Sequence, residues 1–234
     1  MLLIGAFLVS CILPLSIYFF LRNAHKENTE YTKDCRKLLL NGLLLGFPVF
    51  GFSLLCNILF QLTHIGDAYP IAEVLFQAFV LKGFSEELMK YLLAKKTIVR
   101  NRSSVSFLDL MAYTAISAIG FELMEGGVYL LSSNIPQVLV RGVTCMHASF
   151  GLIMGYFLAG GVKKSGKLSL FPAVMLSTLI HGTYDFLLDP LLFDTPWGYL
   201  ALVLALLCLV LNLYNFRFMS KARKKPYYTD PLPC

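Results

Sequence analysis

The sequence predicts an all-α, polytopic membrane protein with about seven transmembrane helices, and three observations predict it. Stretches of about 20 apolar residues, each long enough to span a bilayer, recur along the chain. The 234 residues are 57% hydrophobic and only 15% charged, whereas a soluble domain is about 25% charged. Among the loops, Lys and Arg fall only in alternate ones. Lipid admits only helices or closed barrels as spanning structures, and segments of this length are helical.

The segments fall at about 2–21, 38–62, 71–94, 107–131, 138–160, 169–189 and 197–218. The first lacks a basic leading region and a small-x-small cleavage site, so it is expected to be an anchor rather than a removed signal. The loop after it carries Arg22, Lys26, Lys33, Arg36 and Lys37, and the next loop, 63–70, carries no Lys or Arg. Lys95, Lys96, Arg100 and Arg102 follow the third segment; loop 132–137 again has none. Lys163, Lys164 and Lys167 follow the fifth, loop 190–196 has none, and the tail holds Lys221, Arg223, Lys224 and Lys225. The positive-inside rule then places the N-terminus outside and the C-terminus in the cytoplasm. One integral-membrane domain over 1–234, with a short basic cytoplasmic tail at 220–234, is the expected organisation. The net charge of +6 reads as this membrane-side bias. No aromatic-basic groove points to nucleic acid. Six cysteines show no disulfide framework or zinc-finger spacing, and packing thiols are the simplest account of them.

Ionisable residues inside the apolar segments carry the functional signal. An acidic or basic side chain at mid-bilayer costs about 2.5–3.5 kcal/mol on insertion scales, so intramembrane clusters face a protein interior and are functional by default. Glu86 and Glu87 lie in the third segment, with Lys90 at i+4 and i+3. Pairing with Lys90 and burial act in opposition on such a carboxylate, which is what a general base needs; the plainer alternative is an ion pair locking two helices. Glu122 and Glu125 share a face of the fourth segment, beside Gly120, Gly126 and Gly127, which allow a neighbouring backbone to approach closely. His147, Gly151 and Gly155 form a stripe on the fifth, with the small residues letting another helix pack beside the imidazole. His181 and Asp185 share a face of the sixth, where the Asp is placed to orient the ring. At 1.5 Å per residue, Glu86 lies roughly 13 Å and His181 roughly 18 Å from the inner ends of their helices. Glu125 lies roughly 9 Å and His147 roughly 13 Å from the outer ends. Four motifs on consecutive helices thus meet in the central and outer-central layers.

In order and spacing, Glu86-Glu87-x-x-Lys90, Gly120-Phe121-x-x-x-Glu125, Arg141 with His147 and Gly151-Leu-Ile-Met-Gly155, and His181-Gly-Thr-Tyr-Asp185-Phe186 resemble the PrsW family of intramembrane proteases. They are more distantly similar to the CAAX-type prenyl endopeptidases and their bacterial relatives. The N-terminal Pro14-Leu-Ser-Ile-Tyr-Phe-Phe-Leu-Arg also resembles the PrsW family, and the likeness covers nearly the whole chain. One departure is Gly126, where the family usually has Asn. The resemblance implies a peptidase of the bacterial plasma membrane. Its expected substrate is a single-span membrane protein such as an anti-sigma factor, cut first on the extracytoplasmic side in a signalling cascade.

Peptide hydrolysis needs an activated water, a stabiliser for the oxyanion and an acid for the leaving amine. Glu86 or Glu87 is the expected base, Glu125 a ligand or water-positioning residue, Asp185 the orienter of His181, and Lys90 the balancing charge, with Arg141 in support. His147, His181 and Glu125 make a set of three ligands suited to catalytic zinc, although H-E-x-x-H is absent. Four carboxylates set against Lys90 favour a divalent ion, and a metal-free glutamate mechanism uses similar residues. Two other readings remain: a prenyl-protein endopeptidase with a cytoplasm-facing mouth, and a proton-coupled carrier, because intramembrane Glu, Asp and His also build proton relays. Oligomeric state is not legible.

Overall fold

The structure, a computed structural model, describes residues 2–100, 104–131, 135–165, 170–189, 191, 196 and 198–232. The expectations that rest on Arg102, Lys167, Cys234, loop 132–134 and most of loop 190–196 lie outside the described residues. The helices are α1 (Leu2–Ser10), α2 (Ile12–Arg22), α3 (Thr29–Gln61), α4 (Ile65–Ala68), α5 (Pro70–Leu75), α6 (Ser85–Arg100), α7 (Phe107–Leu131), α8 (Ile135–Thr144), α9 (Met146–Ser165), α10 (Leu170–Leu187), α11 (Gly198–Ala222) and α12 (Pro226–Thr229). A π-helical segment, Phe76–Phe84, joins α5 to α6. The fold is all-α and polytopic, as expected.

Among the described residues, five stretches are long and apolar enough to cross a membrane: Leu2–His25, Thr29–Gln61, Phe107–Leu130, Arg141–Lys164 and Leu202–Ala222. The other two expected segments are also helical over their described residues, but their site residues dilute the hydropathy. Glu86, Glu87, Lys82 and Lys90 interrupt one, and His181 and Asp185 the other. The fifth expected helix divides at Cys145, whose φ of 44° is left-handed, whereas the first continues past Cys11, which keeps helical backbone angles.

Local chemistry sets several boundaries. The Asn28 side chain accepts from the Tyr31 amide at 3.0 Å and starts α3 earlier than the apolar run suggests. Ser106 and Asp109 cap the start of α7 reciprocally: the Ser106 amide donates to the Asp109 carboxylate at 2.9 Å, and the Asp109 amide to the Ser106 hydroxyl at 3.2 Å. Pro70 opens α5, where its missing N–H is no loss.

Helix α7 is the hub. Residues 105–122 are buried along their whole length, and α3, α9, α6 and the N-terminal helices pack around them. The stripe on α9 serves as expected: a β-carbon at Gly151 would lie 2.7 Å from the Ala115 Cα, and Gly155 is equally tight against Met111, so α9 can approach α7 only through glycine. On the facing motif, Gly120 admits the α3 backbone in the same way, whereas a β-carbon at Gly127 would meet nothing among the described residues. Large apolar side chains point outward along α3 (Phe47, Phe50, Leu54, Leu55) and α11 (Leu206, Leu207, Val210, Leu213). Such exposure marks a lipid-facing surface on a multi-pass membrane protein.

Candidate active site

Helices α6, α7, α9 and α10 bring Glu86, Glu87, Lys90, Glu122, Glu125, His147, His181 and Asp185 into one buried cluster, and α8 adds Arg141. The π-helical segment delivers the first of these. Wide π turns are uncommon and recur at functional sites. Here the segment ends two residues before Glu86, and its Gly83 lies so close to α10 that a β-carbon would meet the Thr178 carbonyl at 3.0 Å. That close crossing brings His181 against Glu87.

Lys90 is 1% exposed and sits between the two carboxylates, 2.9 Å from Glu87 Oε1 and 3.3 Å from Glu86 Oε2. Its Nζ is also 2.8 Å from His147 Nδ1 and 4.3 Å from the Phe121 ring centroid. An ammonium only donates, so Nδ1 accepts and Nε2 carries the imidazole proton, directed at Glu125 Oε2 2.8 Å away. His181 has the opposite tautomer. Its Nδ1 donates to Glu87 Oε1 at 3.0 Å, which leaves Nε2 as a bare lone pair. That atom is buried and has no hydrogen-bond partner among the described residues. Asp185, the expected orienter of His181, stands at ion-pair distance from it, Oδ2 3.5 Å from Nε2, and Glu87 holds the other ring nitrogen.

Arg141 bridges two motifs. Its Nη1 donates to Glu125 at 2.8 Å and its Nη2 to Asp185 at 3.2 Å, while the guanidinium lies 4.6 Å from the Tyr129 ring centroid. Glu122 takes no part in these pairs and accepts from the His147 backbone amide at 3.0 Å. It thereby supplies a cap for the start of α9, where the break at Cys145 leaves amides without intrahelical partners. On the other side of that break, Asn212 of α11 donates to the carbonyls of Thr144 and Cys145 at 2.8 and 3.1 Å.

Sequence reasoning missed Asn212 and Lys82. The Lys82 ammonium is 3.6 Å from Asp185 Oδ2 and lines the same cavity as Glu86. A lone Lys in an apolar run, four residues before Glu86, was the available signal. The charge balance changes with it. Five carboxylates (Glu86, Glu87, Glu122, Glu125, Asp185) meet three cations (Lys82, Lys90, Arg141), which leaves two negative charges when both imidazoles are neutral.

Three donors, one each from Glu86, His147 and His181, lie within 4.8 Å of one another. Glu86 takes the place expected for Glu125, whose carboxylate is engaged by Arg141 and His147. The set fits a divalent cation in its donor chemistry, one carboxylate and two imidazoles, with a further carboxylate, Glu87, hydrogen-bonded to the far nitrogen of His181. A cavity of about 340 Å³ adjoins the cluster between α3, the π segment and α7. Of the acidic residues, it reaches Glu86 and Glu125.

A titratable constellation of this kind, buried among membrane helices beside a cavity, suits a membrane-embedded hydrolase. The chain belongs to the PrsW family of intramembrane metalloproteases, whose pattern matches residues 35–213. It is a peptidase of this class and a multi-pass membrane protein. The protein named Protease PrsW of Clostridioides difficile is 26% identical over 226 residues, covering 91% of either chain. That of Halalkalibacterium halodurans is 30% identical over 184 residues, 75% of this chain and 79% of the relative. That of Bacillus subtilis is 27% identical over 191 residues, 79% and 81% respectively. No solved structure matches the chain.

Proposed function

We propose that this peptidase cuts a single-span membrane protein at the cavity shared by Glu86 and Glu125, in the plasma membrane of a bacterium. The anti-sigma type of substrate rests on the resemblance alone. An outside N-terminus and a cytoplasmic C-terminus rest on loop charge, with seven spans once the two polar helical stretches are included. Under that topology the cavity opens in the outer half of the bilayer, and the cut falls on the extracytoplasmic side.

The observation that carries the mechanism is the division of labour among the carboxylates. Glu87 is 0% exposed, and one of its oxygens serves both Lys90 and His181, so it holds the site together. Glu86 and Glu125 reach the cavity. Glu86, His147 and His181 would hold a divalent ion, zinc being the one that such a set takes, and that ion would polarise the scissile carbonyl and acidify a water. Ligation through His147 Nε2 would require the other tautomer: Nδ1 would take a proton from the Lys90 ammonium 2.8 Å away, and the Nε2 proton would leave to solvent by way of Glu125, which is ionised again before turnover. In turnover Glu125 takes a proton from the attacking water as oxygen adds to the carbonyl carbon. It returns that proton to the amide nitrogen as the C–N bond breaks. Arg141 keeps Glu125 in place, and the Lys82 ammonium is the cation beside the cavity where the oxyanion develops.

Cleavage of co-reconstituted single-span membrane proteins, measured with and without chelator, tests this reading. Glu125→Gln should keep bound metal and lose cleavage; Glu86→Gln should lose both. Full cleavage by a metal-free preparation overturns the metal assignment and leaves Glu86 as base. Proton flux without any cleavage would favour a carrier.

A further inference from the structure

The C-terminal half of α3 meets the neighbouring strand of helices along a seam of three polar rungs. Gln61 donates to Glu73 at 2.8 Å, Gln77 to Asn57 at 2.9 Å, and Ser53 to the Leu81 carbonyl at 2.9 Å. Positions 53, 57 and 61 run down one face of α3, while 81, 77 and 73 run up the other side, each at four-residue spacing. Phe60 and Phe76 stack beside the outermost rungs with centroids 4.2 Å apart.

The inner two rungs form a wall of the cavity that reaches Glu86 and Glu125. The cavity's rim is apolar and exposed at Phe50, Leu54 and Val128. Apolar surface gains nothing by being buried away from lipid tails, so a seam inside the bilayer is held by packing and by its hydrogen bonds. These are exchangeable. The Asn57 amide nitrogen and the Gln77 amide oxygen make no further bond among the described residues, so the pair offers both a donor and an acceptor. A membrane helix that is to be cut must unwind locally, and its freed N–H and C=O groups then need partners, because lipid supplies none.

Resting on the peptidase reading above, we propose that this seam is the lateral docking site for the substrate's membrane segment. Asn57 and Gln77 exchange their mutual hydrogen bond for the backbone of the unwound stretch beside the scissile bond. Continuity with Glu86 and Glu125 identifies the occupant as the chain being cut, and the lipid-facing rim identifies it as a membrane segment.

The test uses the full chain carrying Glu86→Gln, in phosphatidylcholine vesicles, with photoreactive benzoylphenylalanine at position 50, 128 or 206. The probe is a synthetic Leu-rich single-span peptide of about 20 residues with Gly-Pro at its centre. Adducts should form at 50 and 128 about tenfold more than at 206 on α11. They should fall about tenfold in Asn57→Leu/Gln77→Leu, the loss expected for one buried hydrogen bond. A peptide with Leu-Leu in place of Gly-Pro should show a similar fall on the chain without those two changes, a comparison independent of how the double variant folds. Equal adducts at 206, or no dependence on either change, overturn the proposal. Adducts at 50 and 128 by a chain whose wild type cuts nothing would support the docking seam and reject the catalytic assignment. Cleavage with adducts elsewhere would reject the seam alone.

Discussion

Arg141 gives the sharpest test of the cluster, because it joins carboxylates from two helices. Arg141→Gln removes a buried guanidinium that is 2.8 Å from Glu125 and 3.2 Å from Asp185. Removing one partner of a buried pair costs about 3–5 kcal/mol, since the remaining charge stays in low dielectric. Glu125 keeps the His147 contact at 2.8 Å and Asp185 keeps Lys82 at 3.6 Å, so the lower end, about 3 kcal/mol, is expected. That corresponds to a loss of more than about 100-fold in the folded-to-unfolded ratio. Reversible unfolding in mixed micelles, followed by circular dichroism, measures it. Adding Asp185→Asn to Arg141→Gln should recover about 1–2 kcal/mol, because one stranded charge disappears. Arg141→Lys should recover only part, as an ammonium cannot bond both carboxylates in a fork. A loss below about 1 kcal/mol for Arg141→Gln, the range of exposed pairs, would refute the buried bridge.

Alanine at His147, His181 or Glu87 should abolish cleavage while membrane insertion, read by membrane fractionation, persists. Glu122→Gln, which keeps an acceptor for the His147 amide, should retain activity. Glu122→Leu should lose about 1–3 kcal/mol of stability, the penalty for an unsatisfied buried group, in the same unfolding assay. Elemental analysis should find about one zinc per chain, lost in the His147→Ala/His181→Ala variant. Bound zinc should also fall as pH drops through the imidazole range, because protons compete for the ligand nitrogens; pH-independent zinc content would contradict imidazole ligation. In a cysteine-free background, Gly66→Cys and Ser165→Cys should label from opposite sides of the membrane, and labelling from one side would sink the seven-span topology.

The sequence alone determined that the chain is helical and lies in the membrane, because lipid leaves few options for a backbone and periodic apolar runs report its passage. It also determined which polar residues belong together: intramembrane Glu, His and Asp have nowhere to go but toward one another. Helix spacing put Lys90 beside both Glu86 and Glu87, and the structure agrees. Contacts between distant segments were not legible in this way. Only the tertiary structure decided that Glu86, rather than Glu125, groups with the two imidazoles. That choice depends on where the π-helical segment hands over to α6, just ahead of Glu86, and on how closely Gly83 lets α10 approach. The break at Cys145 was hidden as well, because its stability comes from outside the segment. Glu122 is 25 residues upstream of His147, and Asn212 is 67 residues downstream of Cys145. Apolar periodicity records which face of a helix is buried, whereas the caps that let a helix stop and restart inside a membrane are supplied by other helices.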